Sequence, residues 1–100
     1  MISFKKILSQ SFVIIEVECG SIQPNILKNI KPPDSVLEKF SNKGVILRCG
    51  ENSMPIWLWC YLVHFYHPAK FVAVFDTRSL KAVVVQDHSG LYAEGDLIEI

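Results

Sequence analysis

The sequence lacks an excess of either charge: ten Lys and Arg face ten Asp and Glu, and the isoelectric point lies near 6.8. No broad cationic surface is expected to grip long duplex nucleic acid through counterion release, so any nucleic-acid ligand should be small. Cysteine is scarce, with only Cys19, Cys49 and Cys60. These are odd in number, lack Cys-x-x-Cys spacing and fall within or beside apolar segments, as buried reduced thiols do, which makes a reducing cytoplasm the natural setting. The start, Met-Ile-Ser-Phe-Lys-Lys, has no apolar run after its charges, and the apolar stretch 56–66 is too short to span a bilayer. No membrane association is expected. There is no Walker loop, no Gly-x-Gly-x-x-Gly and no nucleophile elbow, so nucleoside triphosphate, dinucleotide and esterase chemistry have no motif to rest on. Internal repeats, low-complexity tracts and flexible linkers are also missing.

What remains is a chain of 100 residues, half of them apolar. That is enough for one domain, residues 1–100, with a core of its own and little surplus stability. Residues 2–8 and 12–18 read as strands joined at Ser9-Gln10-Ser11, the second ending in alternation at Ile15-Glu16-Val17-Glu18. Pro24 opens a short helical pattern with Ile22, Ile26, Leu27 and Ile30 on one face, stopped by Pro32-Pro33. Residues 34–40 suggest one further helical turn. Val45-Ile46-Leu47, residues 71–75 and residues 82–85 are continuous apolar runs, the pattern of central strands covered on both faces.

Between the first two of these runs lies a helix over 55–66, with Asn52 or Ser53 as its expected N-cap. Strand, helix, strand makes a parallel crossover, and the earlier helix joins 12–18 to 45–49 in the same manner. The expectation is an α/β, Rossmann-like sandwich, a mixed sheet with central parallel strands and antiparallel edges; a ferredoxin-like α+β arrangement uses similar elements. The helix is apolar almost all round, with Trp57 and Trp59 on different faces. Its surplus face fits either a subunit partner or a deeply covered core position.

The crossover also sorts the polar residues. Cys19, Gly20, Ser21, the loop Gly50-Glu51-Asn52-Ser53, Asp76, Thr77, Arg78 and Lys81 belong at the C-terminal edge of the parallel strands, where open α/β sheets bind ligands. The loop before the helix is a candidate phosphate cradle, because exposed backbone N–H groups and the helix dipole attract anions. His67 ends the helix, His64 lies one turn earlier on the same face, and His88 ends an antiparallel strand, so all three histidines gather at the opposite edge. The strand between His67 and Asp76, roughly 16 to 20 Å long, keeps them from sharing a site within one subunit. Each group also has a plain structural role: a histidine favoured by the helix dipole, or good turn chemistry at Asp76-Thr77-Arg78 and His88-Ser89-Gly90. Three histidines and a carboxylate would suit a metal, but without tight spacing.

The stretches Pro55-Ile56-Trp57-Leu58, His64-Phe65-Tyr66-His67, Phe71-Val72-Ala73-Val74-Phe75-Asp76-Thr77-Arg78, Ala82-Val83-Val84-Val85-Gln86-Asp87-His88 and Gly95-Asp96 go further. Together with Ile22-Gln23-Pro24-Asn25-Ile26-Leu27 and Lys43-Gly44-Val45-Ile46, they resemble the small stand-alone CRISPR-associated ring nucleases of type III systems, a family also described as manganese-dependent RNA deadenylases. The likeness runs through nearly the whole chain. It implies a Rossmann-like fold akin to CRISPR-associated sensor domains, binding and ring opening of cyclic tetra-adenylate to switch off signalling, and manganese as cofactor. It also implies homodimers stacked head to tail into tetramers or filaments, with the ligand between them.

Carried onto this chain, the resemblance makes His67 a general acid or base, Arg78 a stabiliser of phosphate charge and Asp76 an orienting group or metal ligand. Ligand contacts would come from Gly50, Glu51, Asn52, Ser53, Lys81 and Ser11, and a metal would draw on His64, His67, His88 and Asp76. Two positions depart from the family pattern: Glu51 stands where a basic residue is usual, and Thr77 replaces proline in the turn. A cyclic-oligoadenylate binding module with little turnover and a manganese-dependent 3′ exonuclease on linear RNA are the alternative readings.

Overall fold

The computed structural model describes residues 2–9, 11–33 and 43–100. Its framework is one six-stranded mixed sheet whose spatial order equals its chain order. β1 (Ile2–Leu8) and β2 (Phe12–Cys19) form an antiparallel hairpin, with Ile2 opposite Cys19 and Leu8 opposite Val13. β3 (Gly44–Cys49) runs parallel to β2, and β4 (Phe71–Asp76) parallel to β3. β5 (Lys81–Asp87) turns back antiparallel, and the two-residue β6 (Leu97–Ile98) closes that edge. The expected mixed sheet with three central parallel strands is therefore present, and each crossover joins strands that are direct neighbours.

The described parts of both crossovers lie on one face. α1 (Ile56–Phe65) buries Leu58 and Leu62 completely, and just beyond it Tyr66, against Val13, Ile15, Val17, Val45, Leu47 and Val72. Residues Ile22, Leu27 and Ile30 pack on the same cluster. The expected first helix is a single 3₁₀ segment, Pro24–Lys28, with proline at its start. The helical turn expected over 34–40 lies outside the described residues. Tyr66 also ties the layer together, its hydroxyl donating to the Pro33 carbonyl at 3.3 Å.

The opposite face carries a second cluster of Ile14, Ile46, Phe71, Ala73, Ala82, Val84 and Ile98. No helix among the described residues covers it. The segment after β5 lays Tyr92 edge-on against Phe71, ring centres 4.9 Å apart. Gly44 makes this packing possible: a Cβ there would run into the Phe71 ring.

α1 leaves an outward face unburied, with Ile56 77% exposed and Cys60 and His64 exposed as well. The surplus apolar face foreseen from the sequence is thus on the surface of the subunit. Cys60 also departs from the expectation of buried thiols; Cys19 is buried, Cys49 half-buried, and none of the three is paired. The expected N-cap is absent too. Pro55 occupies the N-cap position without a side-chain bond, since Asn52 is engaged elsewhere. Among the described residues no helix is long and apolar enough to cross a membrane.

Candidate functional site

The two edges of the parallel strands carry different chemistry. At the C-terminal edge, the end of β2 meets the loop after β3. Glu18 extends its carboxylate across that loop and accepts the backbone N–H groups of Glu51 and Asn52 at 2.9 and 3.2 Å and the Asn52 amide at 3.1 Å. Gly50 permits this approach, because a Cβ at that position would collide with the Glu18 carboxylate. The amides foreseen as a phosphate cradle are therefore turned toward a carboxylate of the chain itself. Glu18 escaped the sequence reading because it looks like the solvent-facing member of an alternating strand.

On the same edge, Asp76 caps the β4–β5 turn. Its carboxylate accepts the N–H of Ser79 at 3.2 Å, the Ser79 hydroxyl at 3.0 Å and, at 3.4 Å, the N–H of Arg78. The Ser79 hydroxyl and N–H, with help from Arg78, hold the Asp76 carboxyl below the usual carboxylate range. Asp76 is thus anionic at neutral pH and fixes the turn that presents Arg78. The Arg78 side chain is exposed and makes no hydrogen bond or ion pair among the described residues. Lys81 pairs across the strands with Asp76 and reaches Glu99 at 3.5 Å.

The histidine edge lies at the other end of β4. The His67 ring nitrogen Nδ1 sits 2.9 Å from the His64 carbonyl oxygen. A carbonyl only accepts, so Nδ1 of His67 carries the proton and its Nε2 is left with a lone pair in the neutral ring. The His64 and His67 rings stack with centres 5.6 Å apart. His88 arrives from β5, with its Nε2 3.1 Å from the His67 carbonyl and 3.1 Å from the Gln86 amide nitrogen. Two open clefts flank these rings. One, about 380 Å³, is lined by Tyr61, His64, Phe65 and His67; the other, about 500 Å³, is more apolar and runs between α1 and β5 past Trp59, Val74 and Val85.

The histidines are brought together as expected, and Asp76 and Arg78 are not brought to them. Ser11 also belongs to the histidine edge, since its carbonyl accepts the Gly44 N–H at the start of β3; it is far from the Gly50–Glu51–Asn52–Ser53 loop with which it was grouped. Among the described residues no three His, Cys, Asp or Glu side chains converge on a point. The set His64, His67, His88 and Asp76 is therefore not a metal site within one subunit. Strand β4 separates Asp76 from the rest, and the Asp76 carboxylate is already committed to its turn. Within one subunit, the manganese implied by the resemblance finds no fitting donor set among these residues. Gln86 was missed by the sequence reading because it is neutral and ends an apolar strand.

A family model for the CRISPR-associated protein Cas_csx3 matches residues 14–99, which covers both crossovers and both edges. The chain belongs to this family. An uncharacterized protein of Aquifex aeolicus (strain VF5) is 44% identical to it over 98 residues, covering 97% of this chain and 85% of that relative. The Csx3 match includes Glu18, the whole of α1, the Asp76 turn and the Gln86–His88 segment, whereas Ser11 lies just before the matched residues.

Proposed function

We propose that this Csx3-family chain is a phosphodiesterase that binds cyclic tetra-adenylate and opens its ring. The observation that carries the proposal is the His67 ring: its Nδ1–H is anchored on the His64 carbonyl, leaving Nε2 as a base at an exposed edge. In the reaction a ribose 2′-hydroxyl attacks the neighbouring phosphorus, and His67 Nε2 takes its proton. The bond to the 5′ oxygen breaks, and that oxygen leaves with a proton from solvent. Linear products then end in a 2′,3′-cyclic phosphate and a 5′-hydroxyl. Arg78 faces the negative charge on the phosphate, and Asp76 holds the turn that presents it.

His67 and Arg78 occupy opposite ends of β4, a strand of six residues and therefore roughly 20 Å. Their joint action calls for two molecules stacked head to tail, the histidine edge of one against the Arg78 edge of the next. Incubation with cyclic tetra-adenylate and manganese, with and without chelator, tests the activity. Linear adenylates are the expected product, and none at high protein concentration would end this reading.

A second reading is a binding module with little turnover. Glu18 favours it, because a carboxylate already engages the loop amides that would otherwise meet phosphate. Calorimetry showing tight binding of the ring by wild-type protein that yields no product would select it.

A further inference from the structure

The geometry points to Gln86 as the positioning residue of the histidine edge, clamping the turn that carries His67 and fixing His88 as its Nδ1–H tautomer. Only the catalytic consequence rests on the function proposed above; the clamp itself does not.

The Gln86 side chain sits with its amide nitrogen 2.6 Å from the His67 carbonyl oxygen and 3.1 Å from His88 Nε2. Reversing the amide would set two carbonyl-type oxygens 2.6 Å apart with no proton between them, so chemistry leaves only the donor orientation. Both amide hydrogens are then used, one on each partner. Accepting a hydrogen occupies the Nε2 lone pair of His88, which places the proton of the neutral ring on Nδ1. The competing state, in which His88 Nε2–H donates to the His67 carbonyl at 3.1 Å, would put two donors on that oxygen and leave the second amide hydrogen of Gln86 without His88 as its acceptor.

Gln86 reaches this position through a bulge. Ala73 pairs with Val84 and Val72 with Gln86, so Val85 is the extra residue of the ladder. A regular ladder would place Val85 opposite Val72 and turn Gln86 to the other face of the sheet. With the bulge, Val85 and Gln86 both line the cleft beside α1. The His67 carbonyl lies just past the end of α1, where backbone acceptors have no intrahelical partner, and Gln86 supplies one. His67 is thereby fixed twice: its ring to the helix end through Nδ1, and its main chain to the sheet through Gln86. Without the second tie the ring follows the fraying of the last helical turn.

The full chain with Gln86→Leu and the nearly isosteric Gln86→Glu provides the test. Long-range nitrogen–proton correlation spectra of labelled histidines, recorded at a pH where the rings are neutral, report each tautomer. Wild-type His88 is expected as Nδ1–H. Both variants should move it toward Nε2–H, since Leu no longer donates and a Glu carboxylate accepts. A wild-type His88 with its proton on Nε2, or spectra unchanged in Gln86→Leu, overturns the clamp. On cyclic tetra-adenylate, Gln86→Leu should lower kcat about ten- to a hundredfold with KM within about twofold, the scale of a slight misplacement of a reacting group. If the tautomer shifts while kcat holds, the positioning role is overturned. If wild-type protein opens no ring, the functional proposal fails, and the spectra still decide the clamp.

Discussion

Asp76, at the end of β4, and Asp87, at the end of β5, repeat one device: each carboxylate accepts the backbone and hydroxyl hydrogens of a serine a few residues on. In both cases the serine side chain is the largest influence holding the carboxyl below its ordinary range. A carboxyl with a depressed folded-state pKa binds fewer protons when folded than when unfolded. Its stabilisation is therefore complete above the ordinary carboxylate range and is lost as pH falls through and below roughly 4. Denaturant titrations at pH 7 and pH 3 should show a loss in acid that shrinks in Asp76→Asn and Asp87→Asn. At Gly50, substitution by Ala should expel Glu18 from the loop, read as faster hydrogen exchange at the Glu51 and Asn52 amides. The Asp76 turn was legible in the sequence because Asp-Thr-Arg-Ser is local chemistry. Glu18 and Gln86 were not, because each acts on a partner more than fifteen positions away in the chain, and alternation alone says nothing of such a partner.

Secondary-structure elements were read well where one physical pattern dominates. The continuous apolar runs gave β3, β4 and β5, and a helix between two of them could only be a crossover. Boundaries failed where tertiary contacts compete with local rules. Asn52 does not cap α1 because Glu18 holds its amide, and α1 starts at Ile56 after Pro55. β6 escaped notice because two residues carry no period. The bulge at Val85 is invisible in sequence, since an extra residue in a ladder is defined only by the opposite strand. α1 is held chiefly by Leu58, Leu62 and Tyr66, all fully buried. Leu62→Ala should cost about 2–5 kcal/mol in chemical denaturation, as buried leucine truncations do. Gly44→Ala should cost about 1–3 kcal/mol by displacing the Phe71 ring from its place beside Tyr92.

At the scale of the whole molecule, the sheet is a spacer with different chemistry at its two ends. If the proposed activity needs both ends, His67→Ala and Asp76→Ala should each lose about a hundred- to ten-thousandfold in ring opening. A mixture of the two inactive variants should regain part of it, because one kind of junction then holds two intact edges; rates measured across mixing ratios check this, and no recovery at any ratio would exclude a shared site. The separation of the edges follows from topology alone, because a crossover helix must return the chain to the start of the next strand. The equality of spatial and chain order in the sheet has a kinetic meaning as well. Every strand docks on the strand that precedes it, and none must be inserted between two already paired. The β1–β2 and β4–β5 hairpins close short loops, and the longest gap between paired neighbours runs from Cys19 to Gly44. Loop-closure entropy rises slowly with length, so the sheet can grow in the direction of synthesis, with the two crossover steps as the slowest additions.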